Sequence, residues 1–118
     1  MKKPMIVMIL SGIMLLLWGA LLAQETNPVT GVEIIPNPVD KFCRIIINTN
    51  VPTNLGINVE TETGIVIKTL YWGEANGVLE LTWNRLDDNG LYVAPGTYLL
   101  VVNYAARYTS LKKTLILK

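Results

Sequence analysis

The stretch at residues 79–102, LELTWNRLDDNGLYVAPGTYLLVV, holds two predicted β-strands and the turns between them, and it decides the fold. In its first part Leu79, Leu81 and Trp83 fall on one face at period two. They alternate with Glu80 and Thr82, as in a strand with one buried and one exposed face. This part therefore predicts a half-buried β-strand that ends at Trp83.

The middle of the stretch predicts two chain reversals. Asp, Asn and Gly tolerate left-handed backbone conformations, and Asp and Asn bond their own main chain, so Asp87-Asp88-Asn89-Gly90 predicts a tight turn. Pro95-Gly96 predicts a second break before a strand at residues 98–104.

The same alternation recurs along the rest of the chain, and no helical periodicity follows residue 31. Together the patterns predict seven strands at residues 32–35, 42–48, 55–60, 65–71, 79–83, 98–104 and 111–117. This layout favours an all-β, immunoglobulin-like antiparallel β-sandwich over residues 32–118. The predicted core contains Trp83, Phe42, Tyr98, Leu100 and the isoleucines.

The N-terminal residues have the layout of a secretory signal peptide. Lys2 and Lys3 precede an apolar run of about 18 residues, and Ala23 precedes a polar segment. We therefore expect a signal-peptide helix at residues 1–23, a linker at 24–31 and an exported domain after it. An uncleaved membrane anchor is the alternative, since the apolar run is near the lower limit for spanning a bilayer.

Composition argues against several classes of function. The chain of 118 residues has a net charge of +1, no histidine and one cysteine. The commonest general base and metal ligand is thus missing, and no basic field exists to bind nucleic acid. We expect a non-enzymatic protein without cofactor or metal, and without any membrane contact beyond an uncleaved leader.

Several motifs resemble two related families of domain, and four of them occur in the order found in one family, the type IX sorting domain: Pro36-Asn37-Pro38, Gly64, Gly96-Thr97-Tyr98 and the lysine-flanked last strand. Trp83, followed by Asp87-Asp88-Asn89-Gly90 and Gly96-Thr97-Tyr98, is similar to the signature of the immunoglobulin-like domain of flagellar hook-capping proteins. Pro36-Asn37-Pro38, Gly64 in a hairpin, and Lys112, Lys113 and Lys118 on the last strand resemble the C-terminal sorting domain of type IX secretion cargo. In those families Asp-Gly-Arg is usual where this chain has Asn84-Arg85-Leu86.

The resemblance implies turns set by the prolines and glycines, a last strand marked by lysines, and protein partners in the secretion machinery. Lysines on an outer strand also block unwanted strand pairing, so their role stays open between recognition and protection. The resemblance further implies delivery to the periplasm, the cell surface or the medium.

Three other features have a functional and a structural interpretation. The residues Asp87 to Gly90 could hold calcium, although the spacing does not fit a calcium loop. Cys43 is expected to be a buried small hydrophobe, with an intermolecular disulfide as the alternative. Two aromatic groups could form an interface or pack over the sheet ends: Tyr71-Trp72, and Tyr104 to Tyr108 with Arg107.

The leading hypothesis is a non-enzymatic exported module of the type IX sorting-domain kind, active in export or surface presentation. The alternative is a structural subunit that self-associates outside the cell by edge pairing or strand exchange. A carbohydrate-binding or adhesin domain, with Trp72 at its site, is the third hypothesis.

Overall fold

Seven antiparallel strands form two sheets in a computed structural model, which describes residues 27–104 and 109–118. The predicted leader, the start of the predicted linker and residues 105–108 lie outside the described residues. The strands are β1 (Val29–Ile35), β2 (Cys43–Thr49), β3 (Thr53–Thr61), β4 (Val66–Ala75), β5 (Val78–Trp83), β6 (Gly96–Tyr104) and β7 (Thr109–Leu117). The prediction of an all-β, immunoglobulin-like sandwich is confirmed. Within the described residues, no helix is long and apolar enough to cross a membrane.

The strands divide between the sheets as three and four. One sheet has the order β1-β2-β5 and the other has the order β4-β3-β6-β7. The fourth strand pairs with the third and not with the fifth, so the layout differs from the constant-type immunoglobulin arrangement of sheets. The outer strands of the larger sheet are therefore β4 and β7.

Alternate residues of the two sheets form one buried core. Cys43, Ile45 and Ile47 of β2 are fully buried, as are Ile57 and Val59 of β3. The other wholly or almost wholly buried apolar side chains include Val39, Leu55, Trp83, Leu100, Val102, Leu115 and Leu117. At about 25 cal/mol per Å² of apolar surface removed from water, this packing is the main force that holds the sheets together.

Phe42 was expected in the core, and this prediction is wrong. Its side chain is 58% exposed, because β2 begins at Cys43 and the period-two pattern that buries Cys43 and Ile45 turns Phe42 outward. The isoleucines were also expected in the core, and only some of them are buried. Ile35, Ile65 and Ile116 are exposed, whereas the isoleucines of β2 and β3 named above lie in the core. Tyr98 is half-buried and packs against the core.

Several strands extend beyond their predicted ends. The first strand starts at Val29 and not at residue 32, and β7 starts at Thr109 and not at 111. The fourth strand runs on to Ala75 through a segment that was expected to be a loop. The pairing of β4 with β3 changes register between Ile57 and Asn58 of β3, which interrupts the simple alternation along β4. Gly73 lies inside the strand and does not end it.

Candidate functional site: a clamp on the last strand

The loop after β1 leaves the smaller sheet and bonds to the outer strand of the larger one. Asn37 lies between two prolines whose preceding peptide bonds are cis. Its Nδ2 donates to the Thr114 carbonyl oxygen at 2.9 Å, and its Oδ1 accepts from the Ile116 N–H at 3.0 Å. The carboxamide thus takes the place of a neighbouring strand along this part of β7.

The main chain two residues later continues the same contact. The Val39 N–H donates to the Ile116 carbonyl oxygen at 2.7 Å, and the Lys118 N–H donates to the Val39 carbonyl oxygen at 2.8 Å. Val39 and Leu117 form an isolated parallel bridge, and both side chains are buried. The Pro36-Asn37-Pro38 motif and the last strand are therefore one hydrogen-bonded unit.

Arg85 joins three separate segments from inside the protein. Its side chain is only 1% exposed, and its guanidinium donates to main-chain carbonyl oxygens of Val93 (3.0 Å), Asp40 and Lys118 (2.7 Å). The ring of Tyr92 lies against the same guanidinium, with Cζ 4.7 Å from the ring centroid. Bonds from a charged donor are stronger than neutral ones, so Arg85 fixes the end of the chain to the loops on either side.

Sequence reasoning missed this residue. Arg85 has φ of +67°, and no other non-glycine residue in the described part of the chain has a positive φ. That value suits the glycine usual at this position in the resembling families, whereas it strains a side-chain-bearing residue. A single arginine in a polar loop normally indicates a solvated side chain, so only the departure from the family pattern marked the position.

The predicted lysines of the last strand have different surroundings. Lys113 reaches across the open side of the sandwich, where its Nζ donates to the Val32 carbonyl oxygen of β1 at 2.7 Å. Lys112 is exposed and lies opposite Val101 on β6, while Lys118 is exposed and follows β7. Lys113 therefore links the two sheets, whereas Lys112 and Lys118 are exposed to solvent. We call Asn37, Val39, Arg85 and Lys113 the terminal-strand clamp.

The predicted turn at Asp87 occupies the opposite outer strand of the same sheet. The Asp87 Oδ1 accepts from the N–H groups of Asn89 and Leu91, both at 2.9 Å. The Asp88 N–H donates to the Ile67 carbonyl oxygen at 3.0 Å, and its Oδ1 accepts from the Thr69 N–H at 3.2 Å. These acids bond the main chain, as predicted for a turn, and they cover β4 much as Asn37 covers β7.

The remaining motif residues shape corners of the fold. Trp83 is buried, and its Nε1 donates to the Leu86 carbonyl oxygen at 2.9 Å. The Tyr98 hydroxyl donates to the Ala94 carbonyl oxygen at 2.8 Å, which forms the tyrosine corner of immunoglobulin-like domains. Gly64 and Gly90 have φ of +92° and +80° in their turns, and Gly96 begins β6.

Cys43 is the buried small side chain that the sequence predicted. It is fully buried opposite Trp83, and burial raises the pKa of its thiol to about 11. A thiol in this state is a poor nucleophile, and its burial leaves it out of reach of a second chain. This geometry disfavours the intermolecular disulfide.

The aromatic residues near the loops differ in how far they are exposed. Tyr104 is buried, whereas Trp72 is 79% exposed; Arg107 and Tyr108 lie outside the described residues. The six-membered ring of Trp72 rests on Gly56, where an added Cβ would come within 2.8 Å of the ring. No cluster of acidic, cysteine or histidine side chains fit to hold a metal occurs in the described part of the chain.

Comparison with known proteins identifies similar folds. No protein-family model matches the chain, and none of the curated proteins does. The solved structure of dimeric latent PorU from Porphyromonas gingivalis matches 78% of this chain with a TM-score of 0.62 and 22% identity. The match covers 10% of the PorU chain, so this chain spans about a tenth of that protein.

Two further structures have the same fold. One is PorZ of P. gingivalis, described as an essential bacterial surface component of the type-IX secretion system, with a TM-score of 0.50 and 22% identity over 75% of this chain and 11% of PorZ. The other is FlgD from P. aeruginosa, with a TM-score of 0.53 and 22% identity over 78% of this chain and 76% of that one. At this identity the similarity establishes a shared immunoglobulin-like fold.

Proposed function

We propose that the chain is an exported, non-enzymatic immunoglobulin-like module of the type IX sorting-domain kind. Its last strand would be the element that the secretion machinery recognises at the cell surface. The PorU and PorZ structures, whose proteins come from an organism with such a system, agree with this proposal at the level of fold.

The observation that carries the proposal is the bonding between the first motif and the last strand. Asn37 holds Thr114 and Ile116 through both atoms of its carboxamide, although 77 and 79 residues separate the partners. A sorting element has to be displayed in one conformation, and rigid display lowers the entropy that a partner must remove on binding. The clamp would supply that rigidity.

The side-chain contacts of the three lysines differ, and this difference suggests which of them a partner could bind. Lys113 is engaged with the Val32 carbonyl oxygen, so changing it would alter the sandwich itself. Lys112 and Lys118 are exposed and make no side-chain hydrogen bond within the described residues. Recognition would therefore depend on Lys112 and Lys118, and folding on Lys113.

The alternative of a subunit that polymerises by edge pairing has less support. A growing strand pair needs free main-chain groups on an outer strand. The clamp occupies β7 at Thr114 and Ile116, and Asp88 occupies β4 at Ile67 and Thr69. Partial protection of both outer strands of the larger sheet favours a module that stays separate along these two edges.

The test is export in a cell that has a type IX apparatus, measured as the share of the chain in periplasm, on the surface and in the medium. We expect Lys112→Ser with Lys118→Ser to hold the chain in the periplasm while circular dichroism and the melting temperature stay unchanged. The matched control is Lys68→Ser on β4, whose side chain forms a 3.7 Å ion pair with Asp88.

A chain that ends at residue 110 lacks almost all of β7 and should also remain in the periplasm. Normal surface delivery of this truncated chain, or of the folded double-lysine variant, would refute the sorting function.

A further inference from the structure

Exposed apolar side chains concentrate at one end of the sandwich. We call it the clamp end, since β7 finishes there. Ten large apolar side chains of the described residues are exposed, and seven of them lie at this end: Ile35, Phe42, Ile65, Val66, Leu91, Tyr92 and Ile116. Val51, Trp72 and Val78 are the other three. Concentrated apolar surface of this kind marks an interaction site.

Strand register places the seven at the same end. Ile35 and Phe42 flank the loop that bonds to β7, and Ile116 lies in the bonded part of that strand. Ile65 and Val66 follow the β3–β4 turn, which meets the start of β6 through the pair Thr61 and Tyr98. The loop with Leu91 and Tyr92 connects the two sides, because the Tyr92 hydroxyl donates to the Asp40 carbonyl oxygen at 3.3 Å.

Charges at the clamp end are unevenly divided between its two sides. Beside β4 lie Glu62, Asp87 and Asp88, and Lys68 forms an ion pair with Asp88 at 3.7 Å. Beside β7 lie the exposed cations Lys41 and Lys118, together with the exposed Asp40. The β4 side is thus net acidic and the β7 side net basic, and the apolar residues extend from Ile65 and Val66 on one side to Ile116 on the other.

We propose that the clamp end binds a second copy of this chain in a two-fold symmetric contact. Two-fold symmetry turns one copy against the other, so the acidic side of each meets the basic side of its partner, and the apolar residues meet at the centre. Because the clamp end carries both acidic and basic side chains, an anionic lipid surface would bind it poorly. The preceding chain enters at the other end, where the Asn27 Nδ2 donates to the Tyr104 hydroxyl at 3.1 Å.

The inference goes beyond the sorting function and is tested separately from it. The full chain, purified from the cells that produce it, is followed by sedimentation equilibrium up to about 1 mM, a concentration that detects even weak specific contacts. We expect a dimer and no larger species. Phe42→Ser and Leu91→Ser should raise the dissociation constant by about tenfold or more, since both remove exposed central side chains.

Charge reversal tests the symmetry itself. Glu62→Lys or Lys41→Glu alone should weaken the dimer by roughly three- to thirtyfold, because each contact occurs twice. Both changes in one chain restore opposite charges across the two-fold axis and should recover most of the affinity. Trp72→Ser, at the other end, is the control and should leave the dissociation constant unchanged.

Three outcomes would overturn the proposal. They are a monomer at every concentration, a dimer that Trp72→Ser disrupts while Phe42→Ser does not, and a double charge reversal no tighter than the single ones. All of these variants change exposed side chains, so an unchanged melting temperature confirms that the fold is intact.

Discussion

Replacing Arg85 with methionine should destabilise the domain far more than any surface change. The substitution leaves the main-chain oxygens of Val93 and Lys118 without the Arg85 donor, and leaves that of Asp40 with only the Tyr92 hydroxyl at 3.3 Å. Hydrogen bonds to a charged group contribute ~1.5–3 kcal/mol each, but the burial cost of the cation is removed as well. We therefore expect a net loss of about 3–5 kcal/mol, a large part of the ~5–15 kcal/mol typical of a domain.

Urea unfolding followed by circular dichroism measures this loss. With a slope of ~1–3 kcal/mol per M, the midpoint should fall by roughly 2 M while the slope stays the same. The matched control is Arg44→Met, which removes an exposed arginine paired with Glu80 at 2.7 Å and should cost about 1 kcal/mol at most. Equal losses for the two arginines would refute the clamp role of Arg85.

A second comparison separates the hydrogen bonds of Arg85 from its backbone strain. Glycine adopts a φ of +67° readily, whereas alanine does so at a cost of about 1 kcal/mol. Arg85→Gly should consequently be about 1 kcal/mol more stable than Arg85→Ala, although both lose the guanidinium. Equal stability of the two variants would show that the strained backbone relaxes once the side chain is gone.

Three further predictions concern the core and the outer face. Gly56→Ala should cost about 1 kcal/mol, since the new Cβ meets the Trp72 ring at 2.8 Å, and the cost should vanish in a Trp72→Ser background in a double-mutant cycle. Trp83→Phe loses both ring volume and the bond to the Leu86 carbonyl oxygen, and thermal unfolding should report a loss of ~1–3 kcal/mol. The pKa of Cys43 is raised to about 11 in the fold, so its protonated thiol favours the folded state most below the unfolded pKa near 8.5. Between pH 8.5 and 11 the wild type should accordingly lose up to about 3 kcal/mol relative to Cys43→Ala in urea melts at each pH, and a constant difference would contradict this.

Period-two alternation was enough to find the seven strands, and the core faces of β2 and β5 follow it without a break. It failed where local backbone geometry changes the phase. The register shift beside Asn58 and the glycine at position 73 concealed the end of β4, residues 72–75. Phe42 was wrongly assigned to the core because it is a large apolar residue. In the period-two alternation it falls on the same exposed face as Arg44.

The clamp was predicted only in part. The motif around Asn37 and the lysines of the last strand were selected by resemblance, yet nothing in the sequence pairs one with the other. Their bonds join residues 77–81 positions apart, and such contacts leave no periodic signal. Arg85 was missed for a related reason, since its burial depends on its own loop, the loop with Asp40 and the end of β7, which meet only in the folded chain.

The long reach of the clamp also orders events during synthesis. Asn37 is made before its partners Thr114 and Ile116, which follow it by 77 and 79 residues. Until β7 is made, β6 has no strand paired to that side. Arg85 then has only two of its three acceptors, the main-chain oxygens of Val93 and Asp40, because the third belongs to Lys118. The nascent chain cannot complete its native contacts before β7 emerges, and contacts of high sequence separation also form slowly. The loop after β1 and the buried guanidinium of Arg85 therefore reach their final bonding only when β7 docks.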